Sequence, residues 1–413
     1  MNNLKQDVVF KQNCPGLGDS LQFSTLPERN ILTGKLKMKT MKTIKRNICI
    51  SCEGALEEKH CIRDFPIYMG TTIEPKEDDR KADLIFAECV SCGCIQLNNL
   101  IPLEILYKKN HAGSVGSTWL AHHKKFADFV LKYATGNVVE IGGAHLTLAN
   151  LIESNEAIES VTVYDANIIG NPISDKVKTV EGLFDSKTVS QKPNAIVHSH
   201  VIEHLYEPMK EIKEMAKLLE DGGTMVISAP IINKMMEDGF TNAMNFEHTY
   251  GLTKELLHRI LTNAGLRILE EYNFSDYCVF VSAIKDSLIS SSDCLEQDNS
   301  YFTKFINIQN SEVRRINHLL EGENPEQTFI FGAHIFTQFL VKNGVSERLF
   351  CCVLDNDVKK QDNRLYGTGL FVKSPEVLRR VDSPIVVLKA GQYTEEIMTG
   401  IINNINPNTR FIL

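Results

Sequence analysis

Four cysteines in two identical pairs have the residue type and spacing of a metal site. Cys49 and Cys52 form the first CxxC pair, and Cys89 and Cys92 form the second. Two such pairs can place four thiolates tetrahedrally around zinc, although Cys94 could compete as a ligand. A zinc ion enclosed by four sulfur atoms has no open position, so we expect a structural and not a catalytic ion. A redox-active pair is less favoured, because it belongs at a strand–helix turn of a thioredoxin-like unit.

A glycine turn in the stretch VVEIGGAHLTLAN, residues 138–150, is typical of a nucleotide-binding loop. Glu140 ends a predicted strand, and Gly142 and Gly143 precede a predicted helix, whose N-terminus a ligand can approach. A dinucleotide site would require GxGxxG, and the third glycine is missing. An S-adenosylmethionine (SAM) site instead needs a carboxylate after the second strand for the ribose hydroxyls, and Asp165 ends SVTVYD. The turn therefore favours SAM over NAD, with a degenerate loop as the alternative.

Histidines follow a later predicted strand in the stretch HSHVIEHLYEPMKEI. His200 and His204 are four residues apart and would share one face of a helix, which can indicate a metal site. No HExxH pattern is present, so a catalytic metal is disfavoured. We assign His204 to the reaction centre as a base or polar clamp, with capping and packing as the alternative, and His200 to the cofactor side.

Alternating strands and helices must position these groups. From Ala121 onward, predicted strands such as VVEI, SVTVYD and TMVISAP alternate with helices such as EPMKEIKEMAKLLE and TKELLHRILTNA, each followed by glycine. This alternation predicts a mainly parallel sheet. A second α/β set begins at TFIFGAHIFTQFLVKNG after a polar linker, and it resembles a smaller Rossmann-like unit.

Composition limits the classes of partner. The net charge of −8 and the pI near 5.9 argue against a general nucleic-acid binder, which needs a basic surface. No apolar run approaches the roughly 20 residues that a membrane helix requires, and the N-terminus has no apolar signal region. We therefore expect a cytoplasmic protein without membrane insertion, in which the 11 cysteines are reduced thiols or metal ligands.

Stretches from Cys49 to the C-terminus together resemble the sugar C-methyltransferase family of deoxysugar pathways. They are CISC…CVSC, VVEIGG, SHVIEHLYEP, LLEDGGTMVISAP, NFEHTYGLT, FGAHIFTQFL and LDNDVKKQDNRLYGTGLFVKSPEVL. The last is quite specific, whereas SHVIEHL and LLEDGGTMVISAP are common to many class I methyltransferases and do not indicate the substrate. The resemblance implies an α/β fold: a class I methyltransferase (Rossmann-like) core, a small zinc-binding N-terminal module and a second Rossmann-like C-terminal domain.

Four segments follow from this resemblance. Residues 1–40 would be a leader, disordered or a non-native start, and residues 41–110 the zinc-binding module. Residues 111–290 would be the SAM-dependent methyltransferase core. Residues 291–413 would be a Rossmann-like domain that helps to hold a nucleotide sugar.

The resemblance also implies catalytic residues. In the family they come from a tyrosine ahead of the core, the histidine of the SHVIEHL-type motif and a Tyr-x-Glu-His motif. These correspond here to His204 and to the pair Glu247 and His248. The segment ahead of the core reads LYKKNHAGSVGSTW, so that Tyr107 or His111 stands in for the first tyrosine.

Two departures from the family pattern bear on the chemistry. Asn245 replaces the tyrosine before the Glu-His pair, which removes a hydroxyl and permits a hydroxyl or amine as the methyl acceptor. Leu146 replaces the last glycine of the family's EIG-x-x-x-G, which we expect to weaken SAM affinity. Asn245 is itself assigned to substrate binding. In the C-terminal unit, Asp355 after a strand and Tyr366 of the YGTG string are assigned to the sugar nucleotide.

The sequence therefore predicts a SAM-dependent methyltransferase that acts on a nucleotide-linked keto or deoxy sugar, with no nucleic-acid partner and no membrane insertion. Methylation at carbon is favoured, and the product would supply a surface polysaccharide or glycosylated metabolite. The alternatives are O- or N-methylation of a related sugar and an inactive scaffold that keeps the fold. An NAD-linked oxidoreductase is disfavoured, because FGAHIF lacks GxGxxG.

Overall fold

The computed structural model describes residues 41–107, 117–286, 288–289 and 297–413. The predicted leader and His111 lie outside the described residues.

Helices and strands follow one another in chain order. The first part contains β1 (Ile44–Lys45), β2 (Leu56–Pro66), β3 (Thr71–Thr72), β4 (Lys81–Cys89), β5 (Ile95–Leu97), β6 (Asn99–Leu100) and α1 (Leu103–Leu106). The central part contains α2 (Ser117–Val130), β7 (Gly136–Ile141), α3 (Thr147–Ile152), β8 (Ile158–Asp165), β9 (Val177–Glu181), β10 (Ala195–Ser199), α4 (Pro208–Leu218), β11 (Thr224–Pro230), α5 (Ile232–Glu237), α6 (Lys254–Asn263), β12 (Leu266–Ser275) and β13 (Cys278–Lys285). The last part contains α7 (Ser300–Leu319), β14 (Thr328–Phe331), α8 (Ile335–Lys342), β15 (Cys352–Leu354), β16 (Arg364–Leu365), β17 (Val372–Lys373), β18 (Ile385–Leu388), α9 (Thr394–Asn404) and β19 (Arg410–Ile412).

The chain divides into two compact units. Among the described residues, one unit comprises Thr43–Tyr68 and Ala82–Asn310, and the other comprises Met69–Lys81 and Ser311–Leu413. The cysteine pairs and the glycine turn therefore belong to the same unit.

A seven-stranded sheet forms the centre of the larger unit. Its order is β12-β13-β11-β10-β7-β8-β9, and β7 pairs in parallel with both β8 and β10. Every residue of β11 is buried, as expected for a strand covered on both faces. Because the chain runs outward from β7 in one direction and resumes at β10 in the other, the carboxyl ends of these strands form a topological switch point, where α/β proteins bind ligands.

Local sequence signals explain the helix ends in this unit. Thr253 caps α6, and its hydroxyl accepts a hydrogen bond from the Leu256 N–H at 3.1 Å. Gly265 follows the same helix with φ of 80°, a left-handed conformation that glycine adopts without steric cost. The helix TKELLHRILTNA is thus confirmed as predicted, and the parallel pairs around β7 confirm the predicted mainly parallel sheet.

The cysteine module is hydrogen-bonded to the loop that carries the Glu-His pair. Strands β2, β4 and β5 form one sheet, and β1 pairs with β6. The Leu97 N–H donates to the Thr249 carbonyl, and the Gly251 N–H donates to the Ile95 carbonyl, both at 2.8 Å. The backbone beside His248 is therefore hydrogen-bonded to the cysteine module.

The smaller unit is a second, all-parallel sheet. Its order is β17-β15-β14-β18-β19. All pairs are parallel, and the chain adds strands first on one side of the central strand β14 and then on the other. Two apolar clusters cover its faces. Strand β3 pairs with β16, so that Met69–Lys81 joins this unit although it precedes the core in sequence. Among the described helices, none is long and apolar enough to cross a membrane.

Candidate functional site

The glycine turn after β7 packs too tightly for any side chain. Gly142 has φ of 81°, and a Cβ there would lie 2.3 Å from Cγ2 of Val201. A Cβ on Gly143 would lie 2.6 Å from Oε1 of Glu140. Both glycines are thus required by the space around them, and Val201 brings the histidine-bearing segment against the turn.

Leu146 has a left-handed backbone conformation, which glycine adopts most easily. Its φ is 56°, in the left-handed region, and its N–H donates to the Gly143 carbonyl at 2.8 Å. Its side chain is fully buried in the apolar core of the larger unit. The turn therefore has its shape without the third glycine, because burial of leucine offsets the strain.

We expect Leu146→Gly to destabilise the protein despite relieving this strain. Loss of a buried leucine side chain costs about 2–5 kcal/mol, whereas the left-handed conformation costs about 1–2 kcal/mol. The net loss should be about 2 kcal/mol in urea-induced unfolding. The matched variant Leu146→Ala loses the same burial and keeps the strain, so it should be less stable than the glycine variant. Wild-type stability in Leu146→Gly would contradict this balance.

Two acidic residues stand at the ends of adjacent strands beside this turn. Glu140 is buried, and desolvation, with a smaller contribution from Asp165, raises its pKa to about 8. Asp165 ends β8 and accepts a hydrogen bond from the Asn167 N–H at 2.8 Å. A glycine cradle followed by a carboxylate on the next strand fits SAM, since the carboxylate can accept hydrogen bonds from ribose hydroxyls.

His204 and His248 face each other at the carboxyl end of β10. Their ring centroids are 5.0 Å apart. Nδ1 of His204 lies 3.1 Å from the Glu247 carbonyl, and Nδ1 of His248 lies 3.2 Å from the Ala243 carbonyl. Because a carbonyl only accepts, Nδ1 is the donating nitrogen of each ring. In the neutral form of either ring, Nε2 is then the nitrogen that can accept a proton.

The surroundings of His248 and Tyr107 set different roles for the two side chains. Burial, followed by the neighbouring His204, lowers the pKa of His248, so its imidazole is neutral at pH 7. Burial, followed by the charge of Glu247, raises the pKa of Tyr107 well above its ordinary value. Tyr107 is therefore a hydroxyl donor, whereas His248 can act as a base.

Asn245 holds the turn that presents the Glu-His pair. Its Oδ1 accepts from the Glu247 N–H at 2.7 Å and from the His248 N–H at 3.3 Å. This is the local bonding that asparagine favours in turns. The residue that replaces the family tyrosine thus positions Glu247 and His248 through their backbone.

A buried ion pair between His200 and Glu203 lies next to His204 in the chain. Nδ1 of His200 is 3.2 Å from Oε1 of Glu203, whose side chain is fully buried. Burial would raise the pKa of Glu203, but His200 lowers it to about 2. Burial would likewise lower the pKa of His200, but Cys278 and Glu203 raise it to about 10. This arrangement keeps the Glu203 carboxylate negatively charged next to His204.

Arg46 connects the cysteine module to both histidine segments. Its guanidinium is buried and donates to the carbonyls of Leu97, Tyr206 and Thr249, at 3.1, 2.9 and 3.1 Å. Tyr206 follows His204 closely, and Thr249 follows His248. Sequence reasoning missed Arg46, because a single arginine in a basic run has no spacing that marks a buried role.

The two cysteine pairs converge in one place. Sγ of Cys49 is 3.7 Å from Sγ of Cys92, and Sγ of Cys52 is 3.4 Å from Sγ of Cys89. All four sulfur atoms lie within 4.8 Å of one another. Zinc–sulfur bonds of about 2.3 Å in tetrahedral geometry require sulfur atoms about 3.8 Å apart, so the four cysteines fit zinc.

The residues assigned to the sugar nucleotide lie in the smaller unit and bond mainly to their own backbone surroundings. Asp355 accepts from the Ala333 N–H at 2.8 Å, and Nζ of Lys360 is 3.3 Å away. The hydroxyl of Tyr366 is 2.5 Å from the Arg80 N–H, which donates to it. Their roles in binding stay predictions.

Residues 119–271 match the family model described as a methyltransferase domain. The matched range includes the glycine turn, His204 and His248. With the sheet order described above, this match confirms the predicted α/β fold with a class I, Rossmann-like methyltransferase core. It also confirms the predicted enzyme class, a SAM-dependent methyltransferase.

Several solved structures align with part of this chain. The N-methyltransferase NodS from Bradyrhizobium japonicum is 16% identical and aligns over 42% of this chain and 100% of its own, with a TM-score of 0.32. Human N-acetylserotonin methyltransferase in complex with SAM is 13% identical and aligns over 41% of this chain and 53% of its own, with a TM-score of 0.35. No function is assigned to this chain from structures with such low TM-scores. No curated protein matches it.

Proposed function

We propose that the protein transfers a methyl group from SAM to a carbon atom next to the keto group of a nucleotide-linked sugar. The observation that carries this proposal is that a neutral base with a fixed ring orientation, His248, and a hydroxyl donor, Tyr107, are both close enough to Glu247 for its charge to act on their pKa values. Removing a proton from carbon needs such a base, and the resulting enolate oxygen needs a donor.

The residues of this chain would act in a defined order. Nε2 of His248 accepts the proton, and the C–H electron pair becomes the enolate. The carboxylates of Glu203 and Glu247 stabilise the imidazolium that forms, since both lie close enough to affect titrating groups in the cluster. The hydroxyl of Tyr107 donates to the enolate oxygen. When bound, SAM would supply the electrophilic methyl group, to which the enolate carbon would bond as the S–methyl bond breaks and the sulfonium becomes a neutral thioether.

The cysteine quartet would hold a structural zinc ion. Four thiolates leave no open position, and the nearby backbone bonds to Thr249 and Gly251 give the ion a mechanical role. We infer that zinc keeps the catalytic loop in place through β5 and Arg46.

The acceptor is inferred from the resemblance of the whole chain to sugar C-methyltransferases. In this proposal the C-terminal unit binds the nucleotide part through Asp355 and Tyr366, and the product enters a cytoplasmic route to a polysaccharide or glycosylated metabolite. No nucleic-acid or membrane partner is proposed.

Methylation of a hydroxyl or amine is the second candidate. Its support is Asn245, which has no hydroxyl to donate to an enolate. The side-chain oxygen of Asn245 is instead hydrogen-bonded within the turn. An oxygen nucleophile needs only one base, which His248 would provide.

Deuterium exchange separates the two candidates. The protein is incubated in D₂O with S-adenosylhomocysteine and a nucleoside diphosphate-linked keto-deoxysugar, and the sugar is analysed by mass spectrometry. Carbon methylation requires enzyme-dependent exchange of the proton next to the keto group. Methyl transfer from SAM without such exchange would favour the hydroxyl or amine.

Calorimetric titration with S-adenosylhomocysteine, and separately with NAD, tests the cofactor site. We expect binding of the former only, and Asp165→Asn should weaken it about 10–100-fold, because a hydrogen bond to a charged group contributes about 1.5–3 kcal/mol. The matched control is Glu181→Gln, since Glu181 pairs with Asp165 on the neighbouring strand and is exposed. Equal affinities in both variants would remove Asp165 from the site, and no binding by wild-type protein would favour the inactive scaffold.

A further inference from the structure

We propose that His122, His200 and Cys278 form a second metal site, which binds zinc or a similar first-row divalent ion with three protein ligands. The three residues come from α2, from the loop after β10 and from the start of β13. Their ligand atoms lie within 4.8 Å of one another. The site is separate from the cysteine quartet and uses none of its residues.

The distances fit coordination of one ion. Nε2 of His200 is 3.8 Å from Sγ of Cys278. Zinc bonds of about 2.3 Å to sulfur and about 2.0 Å to nitrogen in tetrahedral geometry place such atoms about 3.5 Å apart. A small inward movement of either side chain is therefore enough to close the site on an ion.

A polar group lies beside the second ring nitrogen of each histidine, as is common for metal ligands. Histidines that bind metals usually donate the other ring N–H to a carboxylate or another polar group. Nδ1 of His200 lies 3.2 Å from the buried Glu203 carboxylate. Nε2 of His122 lies 2.8 Å from the hydroxyl of Ser228, which is itself 3.4 Å from Sγ of Cys278.

A second, independent observation is an unsatisfied nitrogen. His122 is 3% exposed, and its Nδ1 has no hydrogen-bond partner among the described residues. A buried polar atom without a partner costs about 1–3 kcal/mol. Aromatic rings of Trp119, Phe274 and Phe280 pack around the imidazole and offer no acceptor, and the His200 ring of the proposed site lies 5.3 Å away between ring centroids. A metal ion would satisfy this nitrogen.

The placement suggests what the ion would bind. The side chain of His200 is 23% exposed, which provides an entry path from solvent. Three protein ligands leave one position open, as in catalytic zinc sites, and that position suits water or a substrate oxygen. Val201, the next residue, contacts the glycine turn, so the ion would lie at the same edge of the sheet.

Metal content measured by inductively coupled plasma mass spectrometry tests the site on full-length protein loaded with zinc and desalted. We expect two zinc ions per chain in wild type and one in Cys278→Ser and in His122→Gln. His123→Gln is the matched control, since His123 is adjacent on α2 and outside the cluster, and it should retain two. A Cys52→Ser variant should lose the other ion, which separates this proposal from that of the structural zinc.

Cobalt substitution of the wild-type protein provides a measurement that does not depend on whether any variant folds. A site with two nitrogen ligands and one sulfur ligand should add visible bands distinct from those of a four-sulfur site. Two results together would overturn the proposal. They are one metal ion per chain in both wild type and Cys278→Ser, and a cobalt spectrum of four sulfur ligands alone.

Discussion

His248→Gln is expected to lower kcat by about 10²–10⁴-fold, the range that a general base contributes. The amide keeps a hydrogen-bonding side chain of similar size but cannot accept the proton. Because the base acts in the transition state, KM for the sugar should change little. Steady-state kinetics with labelled SAM measure both constants.

A surface histidine provides the matched control for this substitution. His258 on α6 is 41% exposed and pairs with Glu271, so His258→Gln should keep wild-type kcat. If His248→Gln retained wild-type kcat, the base would have to be another residue, of which His204 is the nearest.

The pH profile should agree with the same assignment. Since the pKa of His248 is lowered, the neutral form that accepts a proton persists at pH values below 6.5. The rate should therefore stay level as the pH falls to 6.5 and decline only when the pH passes through the lowered pKa. A decline beginning above pH 7 would contradict a lowered pKa.

Cys89→Ser is expected to unfold the cysteine module and to abolish methyl transfer. Structural zinc contributes about 10–16 kcal/mol of apparent binding free energy in small domains, which equals or exceeds the stability of a typical domain. Loss of about 5 kcal/mol alone would lower the melting temperature by about 10–20 °C. Activity falls as well, because Arg46 and β5 hold the carbonyl of Thr249 beside His248.

Differential scanning calorimetry and zinc analysis of Cys89→Ser measure these effects. Cys61→Ser is the matched control, since Cys61 is exposed and lies outside the quartet. An unchanged melting temperature in Cys89→Ser would mean that the module folds without zinc.

Arg46 is the residue of the site that the sequence did not indicate. Its guanidinium contacts segments on both sides of the catalytic pair, at sequence separations of 160 and 203 residues. Contacts over such distances arise from the path of the chain and leave no mark in local composition. The sequence could thus predict zinc and the histidines, but not the arginine that joins them.

The sequence by itself determined the elements and the residue types of the site. A short apolar run predicts a buried strand such as β11, and a 3.6-residue pattern predicts a helix such as α6, because both signals depend only on nearby residues. The CxxC pairs and the glycine turn are likewise short, and their spacing alone indicates thiolate ligands and a close ligand approach.

Only the tertiary structure decided which of these groups meet. It placed Leu146 in the conformation of a glycine, because core packing outweighs local strain. It brought His122 and Cys278 to His200, and it joined Met69–Lys81 to the C-terminal unit. Such contacts depend on how strands order and helices cross, and these are set by burial of the whole apolar surface and not by any local stretch.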